Sequence, residues 1–285
     1  MIKIIKYFLE AIIIYLFFFI IKLIGLFLSR KIFSTIFKMI GPIIKSNKII
    51  KKNLLKFPRK LSNRETKKII SDMWSNYGMT FVEYVYLHKF RKNNLHIKII
   101  GNEILKEISK NKKPVIFISG HFANFELMSM EITKKDIKLA TIYRPLNNIF
   151  LNPFMEFLRK KYICNNQIKK GRGGVRDSIF YLNKKHSLAL MIDQRVSEGT
   201  KINFFNEKAL TTTLPAQVAF KFNLDIVPIF IERKADNSFV MQIYKPIKPK
   251  LFDDKLQLSK KLNQILENMI LKNPNQWIWT HDRWK

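Results

Sequence analysis

His121 and Glu126 stand five residues apart in the segment Ser119-Gly120-His121-Phe122-Ala123-Asn124-Phe125-Glu126. An imidazole is the side chain best suited to take a proton near neutral pH. A carboxylate behind its second nitrogen fixes the tautomer and steadies the imidazolium. On an ideal helix, residues five positions apart diverge by about 140°, so the two could not meet if both were helical. They can meet if His121 lies on a strand-to-helix turn after Gly120 and Glu126 lies in the first turns of the helix. No Ser or Cys elbow adjoins them, so the residues fit base-assisted attack by a substrate hydroxyl better than a covalent acyl-enzyme. Spacing alone is equally that of a capping or core-polar histidine. The other histidines (88, 96, 186 and 281) show no carboxylate at a comparable offset within a strand–turn–helix. No H-E-x-x-H and no paired cysteines are present, which argues against a metal site.

The surrounding pattern supplies such a turn. Short apolar runs at 114–119, 137–143, 188–192, 226–231 and 239–244 predict strands. Amphipathic stretches alternate with them: one from about Ala123, then 153–162, 171–184, 215–222 and 258–271. A further helix is expected over Ser62–His88, capped by Ser62 or Asn63. This alternation predicts an α/β fold with a mixed, largely parallel central sheet flanked by helices. Ligands in such sheets bind outside the carboxyl ends of the strands, where His121 would sit. Arg144, Arg172 and Arg195 follow a second strand, a Gly-rich turn and a third strand, so they could converge on the same crevice. Their guanidinium forks suit phosphates, although ordinary surface charge accounts for them equally well. Gly171–Gly174 has neither P-loop nor dinucleotide spacing. The apolar positions of 127–132 and 220–222 read as core in preference to the lining of a ligand tunnel.

The chain has 285 residues, with 52 Lys+Arg against 21 Asp+Glu, a formal charge of +31. Its 47% apolar and 26% charged residues exclude a disordered chain, and its mean hydropathy of −0.09 excludes a multi-span membrane protein. The lone Cys164 excludes a disulfide framework. So basic a chain suits polyanions, either nucleic acid or an anionic membrane surface. The N-terminus favours the membrane. Ala11–Ile21 is uninterruptedly apolar, and Leu23–Leu28 continues the run after Lys22. Such a helix is about 27 Å long, near the hydrocarbon thickness of a bilayer. Between Arg30 and Lys60 lie ten Lys/Arg and no acid, interleaved with aliphatic residues. This reads as an amphipathic helix on anionic lipid, with the bulk of the chain on the cytoplasmic side. The expected organisation is a membrane-anchoring helix over 1–30, then one α/β domain over 31–285 that opens with the basic membrane-surface segment 31–60.

The His121-x4-Glu126 block resembles that of the glycerolipid-type acyltransferases. The rest of the chain resembles one branch of them, the bacterial lipid A biosynthesis (late, lauroyl/myristoyl-type) acyltransferases. The matching blocks run in order: Tyr143-Arg144-Pro145; Gly171-Arg172-Gly173-Gly174; Asp193-Gln194; Phe204-Phe205 through Ala209, Thr211 and Pro215-Ala216; Val227-Pro228 with Arg233; and the tail Pro274–Lys285. Two positions depart from the family pattern. Asn206 replaces the usual Gly after Phe-Phe, so the turn must accept a side chain. Asp282 replaces a basic residue, which argues against phosphate binding by the tail. The resemblance implies transfer of a fatty acyl chain from acyl carrier protein to a hydroxyl of a lipid A precursor at the inner membrane. His121 would be the base and Glu126 its orienting carboxylate. Backbone N–H groups of the helix after Gly120 would meet the oxyanion. Arg144, Arg172, Asp193, Gln194 and Arg195 would contact substrate, or Asp193 would hold an arginine. No cofactor is implied. The same chemistry on a lysophospholipid, aminolipid or glycolipid fits these residues too.

Overall fold

The computed structural model describes residues 2–45 and 47–285, with the side chains of Ile44 and Arg172 also outside the described set. Helices α1 (Ile2–Ile24), α2 (Leu26–Ile44), α3 (Asn47–Leu54), α4 (Asn63–Glu83) and α5 (Leu87–Lys92) come first. They are followed by β1 (Ile97–Ile100), α6 (Asn102–Asn111), β2 (Ile116–Ser119), α7 (Glu126–Thr133), β3 (Leu139–Tyr143) and α8 (Asn152–Leu158). Next are β4 (Asn166–Lys169), α9 (Arg172–Asn183), β5 (Ser187–Met191), β6 (Thr200–Phe204) and β7 (Glu207–Thr211). The chain ends with α10 (Leu214–Phe222), β8 (Ile226–Arg233), β9 (Phe239–Ile243) and α11 (Lys255–Lys272).

β2 is buried at every position, as a strand covered on both faces must be. It lies inside a seven-stranded sheet of order β1-β9-β8-β2-β5-β3-β4. Every neighbouring pair is parallel except β8–β9. The period of two along β2 divides the core between the faces. Ile116 and Ile118 join a cluster with Leu258, Leu262 and Leu266 of α11, while Phe117 joins Leu127 and Met130 of α7 on the other side. The fold is thus the expected mixed α/β one. Five elements lay outside the sequence expectation: β1, α6, β4 and the two strands of the β6–β7 hairpin. β4 (Asn166-Gln167-Ile168-Lys169) buries only Ile168, so it is an edge strand with no apolar run to announce it.

The hairpin turn resolves the first family departure. Phe205 and Asn206 join the two antiparallel strands with φ of 49° and 61°. Two positive φ values in a two-residue loop mark the turn type whose twist matches the strands, and Asn tolerates that region better than most non-glycine residues.

The N-terminal helices pack along the sheet domain. Ala11 and Ile21 of α1 are buried, the Tyr86 hydroxyl donates to the Ile21 carbonyl at 2.9 Å, and Phe18 stacks obliquely on Phe81 at 5.0 Å. Residues 31–60 form parts of two helices, not one. α2 packs on α4 so closely that a Cβ on Gly78 would lie 2.2 Å from the Phe33 carbonyl oxygen; only glycine allows that approach. α1 is the one helix among the described residues long and apolar enough to cross a membrane.

Candidate active site

β2, β5, β3 and β4 run parallel and side by side, so their carboxyl ends share one sheet edge. His121 follows β2, Asp193 and Gln194 follow β5, Arg144 follows β3 and Lys170 follows β4. The topology therefore assembles four sequence-distant segments at one place. They border a cleft of about 660 Å³, a size suited to a substantial organic ligand.

The structure pairs His121 with Asp193 and not with Glu126. His121 Nδ1 lies 2.8 Å from Asp193 Oδ1. The His121 backbone N–H and the Trp277 indole N–H both donate to Asp193 Oδ2, at 2.8 and 2.9 Å. Asp193 is 1% exposed. Burial pushes its carboxyl up, but His121 and the donated hydrogen bonds outweigh this and hold it below the usual carboxylate range. A carboxylate on Nδ1 leaves Nε2 as the nitrogen free for proton transfer.

Glu126 has other partners. Its Oε1 accepts from the Tyr84 hydroxyl at 2.7 Å and from Arg159 Nε at 2.8 Å, with Arg159 Nη2 also at 2.7 Å. Burial lowers the Arg159 guanidinium, yet Glu126 and Tyr84 more than compensate and raise it. The physical reason for the changed pairing is the late helix start. α7 begins at Glu126 itself, and 120–125 form a loop with Ala123 at φ 44°. This loop places the Phe125 ring edge-on to His121 at 4.6 Å. Arg159 opens a π-helical turn, Arg159–Ile163, and such turns are frequent at functional sites.

A second set of buried groups fixes the His121 loop. The Ala123 carbonyl accepts from Asn76 Nδ2 and Thr80 Oγ1, at 3.1 and 3.2 Å, and its N–H donates to the Gln276 carbonyl at 3.1 Å. Asn124 Nδ2 donates to Glu83 at 2.9 Å. Glu83 is fully buried and also binds Arg30 at 2.7 Å and Arg233. A Cβ on Gly120 would lie 2.8 Å from the Phe122 ring and 2.9 Å from Leu266, so glycine is required there by space. The N–H groups of His121, Phe122 and Ala123 are all engaged within the protein. These three are therefore unavailable to an oxyanion.

The remaining expected site residues divide. Arg144 is exposed at the cleft rim and Gln194 lines the cleft. The Arg172 side chain lies outside the described set. Arg195 is not among the cleft-lining residues; its backbone N–H donates to His281 Nε2 at 2.9 Å. Asp193 holds a histidine, not an arginine. Of the apolar 127–132 stretch, Met128 and Ser129 reach the cleft, while Leu127, Met130 and Ile132 are core.

Three further residues complete the site: Lys170, which no motif marked, and Trp277 and His281, which lie in the matching tail block but had no role assigned to them. Lys170 lines the cleft; its ammonium is lowered by burial and then by the neighbouring Arg144. Trp277 reaches Asp193 from a tail 84 residues downstream. His281 also lines the cleft. Because its Nε2 accepts from Arg195, its proton sits on Nδ1, and burial, helped by the nearby cations Arg283 and Lys170, pushes its pKa down to about 4. It is a neutral hydrogen-bond donor at physiological pH. Arg283, by contrast, is fully buried, donating to the Leu210 carbonyl at 2.6 Å and to Thr211 Oγ1 at 2.8 Å. It braces the hairpin, while Asp282 faces Lys52 at 3.6 Å.

Fold and site together define an α/β enzyme with a carboxylate-backed imidazole at the carboxyl edge of its sheet, beside an open cleft with cations on its rim. A family model for the bacterial lipid A biosynthesis acyltransferases matches residues 2–285. The chain belongs to that family. It is 25% identical over 247 residues to the lipid A biosynthesis lauroyltransferase of Escherichia coli strain K12, covering 84% of this chain and 78% of that one. It is 26% identical over 255 residues to the lipid A biosynthesis palmitoleoyltransferase of the same strain, covering 87% and 81%. Among solved structures it is similar to the 1-acyl-sn-glycerophosphate acyltransferase PlsC from Thermotoga maritima, with a TM-score of 0.43, 12% identity and coverage of 87% and 99%.

Proposed function

We propose that this acyltransferase of lipid A synthesis moves a fatty acyl chain from the thioester of acyl carrier protein to a hydroxyl of a lipid A precursor. It would act on the cytoplasmic side of the inner membrane, held there by α1 and the basic segment 31–60. The observation that carries the chemistry is the His121–Asp193 pair, in which His121 lines the cleft and Asp193 is buried behind it. His121 Nε2 takes the proton of the acceptor hydroxyl as its oxygen bonds to the thioester carbonyl carbon. Asp193 stabilises the imidazolium that results. The tetrahedral oxyanion then collapses, the C–S bond breaks, and the carrier thiolate takes the proton back from His121. Ester and thiol are the products, and the base is regenerated.

The oxyanion needs donors aimed at it before it forms. With the N–H groups of His121, Phe122 and Ala123 engaged elsewhere, the cleft offers His281, the Gln194 amide and Lys170 as donors. Glu126 acts by holding Arg159 against the cleft wall. Arg144, Lys170 and Arg159 suit the phosphates of the acceptor or of the carrier's prosthetic arm. The charge of +31 favours docking of an acidic carrier and of anionic lipid.

The test is labelled acyl transfer from charged acyl carrier protein to a tetra-acylated lipid A precursor, run beside transfer to a lysophospholipid. Product on the lipid A precursor is expected. Product on the lysophospholipid alone would keep the chemistry and move the acceptor.

A further inference from the structure

The loop after β3 holds three apolar side chains out toward solvent: Leu146 is 40% exposed, Ile149 58% and Phe150 36%. This loop is firmly tied down. Asn148 is buried and donates Nδ2 to the Tyr7 carbonyl at 2.8 Å and to Glu10 at 3.2 Å, both on α1. Its own Oδ1 accepts from the N–H groups of Phe150 and Leu151. The Tyr15 hydroxyl donates to the Phe150 carbonyl at 2.8 Å, and the Phe8 and Phe150 rings meet edge to face at 5.5 Å. The loop and α1 are therefore one structural unit. On the outer side of α1, Ile5, Leu9, Ile12, Leu16, Phe19 and Leu23 recur at helical spacing, each about half exposed or more.

Phe8, half exposed and packed on Phe150, links the loop to the helix, so that together they expose more apolar surface than single scattered residues, of the kind that marks an interaction site. Lys3, Lys6 and Lys22 flank the stripe. An acidic protein partner would find no cation among Leu146, Ile149 and Phe150, whereas a bilayer of anionic lipid meets both the apolar side chains and the flanking lysines. The same loop begins at the cleft mouth, which Arg144, Pro145, Leu146 and Asn147 line.

We infer that Leu146, Ile149 and Phe150 enter the bilayer beside α1 as a second lipid-contacting element. This rests on the reading of α1 as a membrane anchor. It seats the mouth of the cleft at headgroup depth, so that an acceptor hydroxyl reaches His121 while the acyl chains of that lipid stay in the membrane.

The experiment places an environment-sensitive maleimide dye at Ile149→Cys and, separately, at Leu16→Cys on the outer stripe of α1. Cys164 is buried, and burial pushes its thiol up to about 11, so the full-length chain needs no other change. Vesicles of phosphatidylethanolamine and phosphatidylglycerol are then added. Blue-shifted, brightened emission from both positions is expected, and Ile149→Asp should weaken vesicle binding about tenfold, as loss of one buried aliphatic side chain would. A shift at position 16 with none at 149 would overturn the inference and leave the anchor standing. No shift at either would overturn both.

Discussion

At the scale of the residue, the account turns on which carboxylate serves His121. Asp193 contacts both its ring nitrogen and its backbone N–H, so Asp193→Asn keeps the shape but offers an amide to Nδ1. Steady-state assays should show kcat down by about 10³–10⁴, the penalty of a misassigned tautomer in comparable sites. Glu126→Gln and Arg159→Gln break one and the same ion pair. Each should reduce kcat/KM by about 10–100-fold, and the double variant should be little worse than either single one, a non-additivity that a double-mutant cycle measures. For His281 the comparison is between isosteres. His281→Gln retains an acceptor for Arg195 and a donor toward the cleft, whereas His281→Glu retains only the acceptor. A rate within about tenfold of wild type for Gln and a further loss of about 10²-fold for Glu would mark oxyanion stabilisation, the scale of one lost donor. Equal rates would reduce His281 to a brace.

At the scale of the element, the sequence carried the strands that build the site but not every contact between them. Apolar runs announced β2, β3, β5, β8 and β9, and the strand-end position of His121 followed from them. The H-x4-E spacing suggested a local pair because adjacency in sequence is the information a motif contains. The actual partner comes from the neighbouring strand, a relation set by sheet order. The helix start was misplaced because Ala123 has no side-chain signal for the left-handed conformation it adopts; Asn76, Thr80 and Gln276 impose it from α4 and the tail. The buried Glu83–Arg233–Arg30 cluster ties α2, α4 and β8 to that loop. Glu83→Gln would leave two buried guanidinium groups under-paired and should cost about 3–5 kcal/mol of stability, read as a lower midpoint in chemical denaturation. At the β6–β7 turn, Asn206→Val should cost about 1–3 kcal/mol because a β-branched residue resists positive φ, while Asn206→Gly should be neutral or stabilising.

At the scale of the whole molecule, the buried ionic groups give stability a definite pH dependence. His281 is held at about 4 in the folded chain against an ordinary 6.5. Between those values the unfolded chain binds more protons, so stability falls as pH drops from about 6.5 toward 4. Burial opposes ionisation of the Glu83 and Asp193 carboxyls, but their cationic and hydrogen-bonding partners prevail and leave both lowered. Their contribution is complete above the ordinary carboxylate range and is lost at still lower pH. The melting temperature should therefore decline steadily below about pH 6.5, and His281→Gln should flatten the first part of that decline. The N-terminal apolar helix and the basic excess were both plain in the sequence. That the helix lies along the sheet domain, with Tyr7, Phe8, Glu10 and Tyr15 holding the 146–150 loop, was not, because side chains about 140 residues apart carry no mutual signal until the chain folds.

The most direct test of the proposed mechanism is single-turnover transfer of a labelled acyl chain from acyl carrier protein to a tetra-acylated lipid A precursor, comparing wild type, His121→Ala and Asp193→Asn. Circular dichroism would verify that each protein is folded. Rates lower by at least about 10³ in both variants, with the acceptor still bound, are predicted. A rate for Asp193→Asn close to that of wild type would contradict the account.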